Sequence, residues 1–576
     1  MITRMRLTFV ATVILALVRT VDAFAQSDNS AILKAMQDEI ARNMSDLVME
    51  NLERPYYIAY TIDDYQNLTI EGSLGTLTRS DRDRARYLTV ELRVGNAALD
   101  NTNFVAGFFD FQQNYFPITF ENDYDAIRNQ IYLATDKLYK SALKNLSKKR
   151  AYLQTRLIEN RPDDFIVPPA NEFVDSTEAF DLSQAYFEPL IGAASAVFRD
   201  YPEIISSNIS LTAGANNQYM TASNGTRAVR GDRLYTIELE MSGKSKDGED
   251  IGDADRIIVN TLGDFPDKAT LINWAKGNAE RMKSLLAAET IEEYTGPVIF
   301  AGDAAGELFR QLFAKNVSDC PAPLYEKEQM AMRNPGPALA NKVKRRILPE
   351  FIDIYDDPTV GRLSNIKLLG CYQVDDAGEV PRRVQLVENG KLIGLLVGES
   401  PTKYVKESNG HARGAVSKDV SARPANMIVE SKDKAPFDSL KRSMLEMCQD
   451  MGLDYGLIIR KVDDPNGTNV QMGLSMGNPG GGSALSSPLE AYRVYPDGRE
   501  EPLRNLEFSN VTVRILKDIM QTGDDQYCYN YLIGDDYEMP VSLVCPSVLV
   551  EDMELKKSEA KVKKPPVLPS PLAKER

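Results

Sequence analysis

Leu88, Val90, Leu92 and Val94 alternate without a break with Thr89, Glu91 and Arg93. A period of two places the apolar set on one face of an extended strand and the polar set on the other. Such a strand needs one covered face, so amphipathic elements must lie against it. Two flank it. From Ser30 to Asn51, Ile32, Met36, Ile40, Met44 and Leu47 recur at three- and four-residue steps, the spacing of a helix with one buried stripe. From Asp123 to about Leu157, Ile127, Ile131, Ala134, Leu138 and Ala142 repeat the pattern, with Lys and Arg crowding the last turns, where cations complement the helix dipole. Tyr56–Ile62 reads as a second strand. The fold class expected is α+β, with an N-terminal domain of long helices on an antiparallel sheet.

The pattern has an internal echo. Ser73-Leu74-Gly75-Thr76 leads into Leu88–Leu92, and Ser223-Asn224-Gly225-Thr226 leads into Tyr235–Leu239. Each is a glycine turn before an alternating strand, consistent either with a duplicated hairpin unit or with two unrelated hairpins. Another long helix is expected from Asp267 to Glu289, with Leu271, Trp274, Met282, Leu285 and Leu286 turned inward.

At 576 residues the chain is too long for one ordinary core. A domain boundary is placed near residue 292, where Tyr294-Thr295-Gly296-Pro297-Val298-Ile299-Phe300 breaks the helix and enters a buried strand. Beyond it, Asp375-Asp376-Ala377-Gly378 and Glu388-Asn389-Gly390-Lys391 are turn signals between short apolar runs. They predict an antiparallel, β-rich C-terminal domain, interrupted by one helix from Pro436 to Met451. The expected organisation is residues 1–25 as a leader, 26–292 as the N-terminal domain, 293–555 as the C-terminal domain and 556–576 as a Lys- and Pro-rich surface tail.

The leader carries Arg4 and Arg6, a largely apolar run of twelve residues from Leu7 to Val18, and Ala23-Phe24-Ala25 as a small-x-small cleavage pattern. A run of twelve residues is too short for a bilayer of roughly 30 Å. The expected product is exported, periplasmic or extracellular, with no membrane span. Cys320, Cys371, Cys448, Cys528 and Cys545 are scattered, so no bridge is assigned. The net charge of −16 argues against a nucleic-acid partner, which ordinarily meets a basic face.

Chemically, the single histidine is the narrowest constraint, because His-based triads, acid–base pairs and zinc sites all draw on it. His411 lies in the polar, glycine-flanked loop Glu407-Ser408-Asn409-Gly410-His411-Ala412-Arg413-Gly414 and is a candidate only if a nucleophile and a carboxylate come to it. Asn478–Ser483 is glycine-rich but lacks the GK[ST] ending of a phosphate-binding loop. The pairs Asp63-Asp64, Asp356-Asp357, Asp375-Asp376, Asp463-Asp464 and Asp524-Asp525 are read as solvated turn formers. No cofactor is expected, and the residues alone nominate no active site.

One family resemblance covers about residues 30 to 555. The run from Tyr294 to Phe300 followed by Ala304-Ala305-Gly306-Glu307-Leu308-Phe309 resembles the strand-to-helix entry of the TldD/PmbA family, zinc peptidases and their metal-free relatives also labelled modulators of DNA gyrase. The DDxG turn at Asp375–Gly378, the strand Val380–Leu386, Glu388–Gly394 and the SNGHAR loop are further matches. Pro55–Tyr60 and Leu99-Asp100-Asn101-Thr102-Asn103 resemble exported members. The resemblance implies a C-terminal domain of barrel-like character. Catalytic members carry HExxxH on the helix after that strand and a later Cys similar to a third ligand. Here Phe309, Arg310 and Ala314 fall about where His, Glu and His would stand, and Cys528 roughly where the Cys would. A phenyl ring and a methyl group cannot ligate zinc, and a guanidinium cannot act as general base. The chain therefore resembles the metal-free, PmbA-type branch. The implied role is a non-catalytic partner of a metal-bearing TldD-type paralogue, or a homo-oligomer, acting on peptides. A stand-alone peptidase with an unusual site and a peptide- or glycan-binding module remain the other readings. A gyrase role is hard to reconcile with export.

Overall fold

The computed structural model describes residues 31–107, 113–156, 158, 160–318, 321–333, 336–414, 420–464, 483–533, 539–558 and 570–572. The leader, Cys320, the glycine-rich stretch 478–482 and most of the tail lie outside the described residues.

The first half contains α1 (residues 31–46), β1 (Pro55–Ser73), β2 (Thr76–Asn96), α2 (Tyr124–Thr155), α3 (Gln184–Ser195), β3 (Ile204–Ala222), β4 (Arg227–Lys244), β5 (Asp250–Val259) and α4 (Lys268–Ala287). The strands form one antiparallel sheet in the order β2–β1–β3–β4–β5. Both long helices start where side chains cap them. Asp123 accepts from Ala126 N at 2.8 Å and Asp267 from Thr270 N at 2.8 Å, satisfying amide groups that no helical carbonyl reaches.

The echo is structural. Helix, hairpin and helix occur twice, as α1–β1–β2–α2 and α3–β3–β4–α4, the second unit extended by β5. Ser73–Thr76 is the β1–β2 turn, where Leu74 and Gly75 both take positive φ (49° and 78°). Ser223–Thr226 is the β3–β4 turn, with Gly225 at φ 96°. Each unit has its own core. Ile32, Met36, Ile58, Leu88, Ile127 and Leu138 belong to one; Ile191, Ile209, Leu211, Ile237, Leu271 and Met282 belong to the other. Antiparallel pairing of β1 with β3 joins them.

The second half contains β6 (Glu293–Phe300), α5 (Asp303–Phe309), β7 (Ile352–Asp356), β8 (Val384–Glu388), β9 (Asn426–Ser431), α6 (Phe437–Asp450), β10 (Gly456–Val462), β11 (Pro488–Val494), β12 (Ile519–Gly523), β13 (Tyr527–Ile533), β14 (Met539–Cys545) and β15 (Val548–Lys557). One sheet runs β12–β15–β6–β10–β11, the other β8–β7–β9–β14–β13, and a shared core containing Val298, Leu308, Phe309, Phe313, Leu543 and Val550 lies between them. Neither sheet is purely antiparallel as the turn signals predicted. β6 pairs with β10, and β9 with β14, in parallel. Parallel neighbours need long crossovers, and these pairs are joined through more than a hundred residues of chain, which local turn chemistry does not report. Among the described residues both sheets run from edge to edge without closing into a barrel.

Candidate functional site

Gly302, at φ 57°, turns the chain from β6 into α5. The helix does not continue regularly. Arg310–Ala314 forms one π-turn, a local widening that often marks a functional or formerly functional stretch of helix. Phe309 and Ala314 are packed in the core between the sheets, and Arg310 is buried with them.

Arg310 supplies the positive charge of this region. Its guanidinium pairs with Glu307 one turn earlier and with Asp464 at 2.7 Å, and lies 4.8 Å from the centre of the Tyr531 ring. Glu307 is fully buried. It also accepts from the Tyr529 hydroxyl and, at 2.7 Å, from Gln311 Nε2. Burial pushes the Glu307 carboxyl up from its ordinary range, opposed chiefly by Arg310. Gln311 in turn donates to Asp463 O at 3.1 Å and accepts from Ser486 N at 2.9 Å. Gly306 makes the arrangement possible, since a Cβ there would stand 2.4 Å from Cβ of Tyr529.

This cluster faces the N-terminal half. Asp464 lies 3.7 Å from Arg256 of β5, and Lys461 reaches Asp253 of β5 at 3.1 Å, where Arg281 of α4 also binds at 2.7 Å. Tyr527 donates to Asp303, the first residue of α5, at 2.5 Å. Burial raises both Asp303 and Asp463, the latter to about 6.

The other candidates go elsewhere. Cys528, on β13, is half-buried, lies 3.5 Å from Asn530 Oδ1, and has its thiol pushed up to about 11 by burial, which suppresses the thiolate that ligation or attack requires. His411 is completely buried. Nδ1 lies 3.0 Å from Asn409 O and Nε2 lies 3.1 Å from Asp356 Oδ1, so neither ring nitrogen is free to take a proton from a nucleophile. Asp356 also accepts from Ala425 N at 3.1 Å and Asn426 N at 3.3 Å. His411 thus straps its loop to β7 and the start of β9. Among the described residues, no group of three or more His, Cys, Asp or Glu side chains could hold a metal ion.

The aspartate pairs correct the sequence reading most. Asp63, Asp64, Asp356, Asp357 and Asp375 are buried, not solvated. Asp64 is held by Arg84 at 2.9 Å and by Arg86, and Asp464 anchors Arg310. The Leu99–Asn103 motif also builds a joint. Asp100 binds Arg93 at 3.0 Å, Arg93 reaches Glu399 of the C-terminal half at 3.3 Å, and Asn103 Nδ2 lies 3.2 Å from Ser400 Oγ.

The repeated helix–hairpin–helix sheet joined to a two-sheet unit has counterparts among known proteins. Residues 293–557 match the PmbA/TldA metallopeptidase C-terminal domain. Three solved structures share the fold over most of both chains. They are a proposed modulator of a DNA gyrase from Thermotoga maritima (15% identity, 87% of this chain and 96% of that one, TM-score 0.56), TldE from Thermococcus kodakarensis (13%, 87% and 97%, 0.56) and a proposed modulator of DNA gyrase from Bacteroides thetaiotaomicron (14%, 91% and 98%, 0.53). No curated protein sequence matches the chain. The C-terminal half thus carries a domain of the TldD/PmbA family, and the solved structures extend the shared fold over most of the chain. The zinc of the family's catalytic members does not fit the residues at this helix. An arginine already places a cation against Glu307 and Asp464, and its neighbours Phe309 and Ala314 offer no donor atom.

Proposed function

We propose that this protein is an exported, non-catalytic subunit of a hetero-oligomeric metallopeptidase that acts on unfolded peptides beside a metal-bearing, TldD-type paralogue. The observation that carries the reading is the Arg310 ion-pair cluster, in which a guanidinium tied to Glu307 and Asp464 stands about where the resemblance expects the catalytic Glu, beside Phe309 and Ala314 at the expected ligand positions. A permanent, immobile cation there neither activates water nor leaves charge for a metal to neutralise. The basic n-region, apolar run and small-x-small site of residues 1–25 support export. The likeness to a structure named TldE is consistent with a paired architecture.

The test measures metal content of the mature, tag-free chain by mass spectrometry, with cleavage of an unstructured peptide by the chain alone and mixed with a paralogue retaining HExxxH. The expected result is no stoichiometric metal and no cleavage alone, with chelator-sensitive cleavage in the mixture. Near one zinc per chain with chelator-sensitive cleavage by the chain alone overturns the proposal, and so does failure of the mixture to associate or to exceed the paralogue's own activity.

A further inference from the structure

A cavity of about 100 Å³ lies at the seam between the N-terminal sheet and the C-terminal half, separate from the Arg310 cluster. Its lining is crowded with charge, and most of that charge is cancelled in place. Arg230 binds Asp376 and Val374 O, and its Nε lies 3.4 Å from Asp232. Asp376 takes a further N–H from Gly414 at 2.8 Å. Asp375 accepts three backbone N–H groups, from Ala377, Glu379 and Ala412, at 2.8–3.0 Å. Arg233 is bound to Glu178 and Asp181.

Among the described residues that line the cavity, two buried charges form no ion pair, one of each sign and one from each half of the chain. Arg413, 7% exposed, donates to Pro424 O at 2.8 Å and Pro540 O at 3.1 Å and lies 5.4 Å from the Tyr372 ring centre, but among the described residues no carboxylate forms an ion pair with it. Two of its five N–H donors are used. Asp63, 5% exposed, receives Asn216 Nδ2 at 3.1 Å and Gln218 Nε2 at 3.0 Å, both on Oδ1, while no donor among the described residues reaches Oδ2. Burial raises its carboxyl to about 6, against the opposing Asn216 and Gln218 hydrogen bonds and the more distant charge of Arg230. Leu234, Leu369 and Met539 supply apolar wall.

A buried charge without a counter-charge is costly, so an occupant that supplies one is favoured. A simple anion answers Arg413 but faces Asp63, and a simple cation has the opposite fault. A zwitterion answers both. A volume of about 100 Å³ suits an occupant of a few heavy atoms. We propose that this cavity binds a small free α-amino acid, glycine or alanine in size, with its carboxylate on Arg413, its ammonium on Asp63 and its side chain towards the apolar wall. Because Asp63 and Arg413 come from different halves, the ligand clamps the two together. The site does not depend on the peptidase pairing.

The test is isothermal titration calorimetry of the full mature chain with glycine and L-alanine, against N-acetyl-L-alanine and L-alaninamide, each of which keeps one charged end. The expected result is one amino acid per chain with Kd of about 1 mM or tighter, and at least about tenfold weaker binding of both blocked compounds. Asp63→Asn and Arg413→Gln, checked for folding by circular dichroism, should each abolish the preference for the corresponding free end. The blocked compounds test the same claim on the unaltered protein if a variant fails to fold. No heat from either free amino acid overturns the proposal, as does equal binding of free and blocked forms or binding that survives both substitutions.

Discussion

Replacing Arg310 with methionine keeps much of the side chain's length and apolar bulk while removing its charge. In the native protein Arg310 is 6% exposed and Glu307 fully buried, and the guanidinium bridges Glu307 and Asp464. Removing one partner of a buried ion pair leaves the other uncompensated, a loss of about 3–5 kcal/mol. The penalty falls on ionised Glu307, so it must depend on pH. Burial already raises the Glu307 carboxyl, and loss of Arg310, the largest opposing influence, raises it further. A carboxyl whose pKa is higher folded than unfolded adds stability below its unfolded value, and that stability is lost as pH rises through the folded value. Arg310→Met should therefore cost distinctly more at pH 8 than at pH 5. Glu307→Leu in the same background should recover much of the loss, because replacing both partners with apolar groups is often neutral or favourable, giving a coupling energy of about 2–3 kcal/mol in the double-mutant cycle. The assay is urea denaturation followed by far-ultraviolet circular dichroism at both pH values. A cost below about 1 kcal/mol, a cost independent of pH, or additive single and double variants would refute the reading of Arg310 as a built-in counter-cation.

Gly306→Ala sets a methyl group against the Tyr529 ring and should lower stability by about 1–3 kcal/mol; a thermal melt matching the native protein would show that the ring shifts freely. Asp356→Ala strips acceptors from His411, Ala425 N and Asn426 N and should cost about 3 kcal/mol or more by the same urea assay, with Asp356→Asn milder. Asp63 titrates near 6 when folded against 3.8 as its ordinary value, so the native state holds this proton more tightly and stability falls as pH rises from about 4 to 7, by about 3 kcal/mol from this group. In Asp63→Asn, melting temperature against pH should lose that component, and an unchanged profile would contradict it. Arg93→Met removes a guanidinium tied to Glu91, Asp100 and Glu399 and should loosen the joint between the halves, read as faster proteolysis between residues 160 and 180 without loss of far-ultraviolet signal.

The helices and hairpins of the first half were legible because their signals are local. Asp123 and Asp267 mark both helix starts, and Gly75 and Gly225 mark both turns. The aspartate pairs misled for the opposite reason. Two adjacent aspartates suggest a loop, but within a strand adjacent side chains face opposite sides of the sheet. Asp64 stands directly across the hairpin from Arg86, and Asp63 stands across from Gln218 on β3, so each carboxylate is buried against a partner that strand register supplies. The first pairing could have been read by folding the chain about Leu74-Gly75, since opposed residues share a face. The second needs the pairing of two separate hairpins. Arg310 and Asp464 lie further still beyond local inference, 154 residues apart and joined through the parallel pairing of β6 with β10. The same distance sets what substitution can do. A hairpin pair such as Asp64–Arg86 lies within one local unit, whereas Arg310, Asp464 and Arg256 tie α5, the end of β10 and β5 into one network across both halves. Placing histidines at positions 309 and 314 would therefore not create a metal site, because the guanidinium and its two carboxylates would still occupy the charge balance that a metal needs. Such a variant should bind zinc only when Arg310 is removed as well, a difference that equilibrium dialysis of the triple and double variants measures directly.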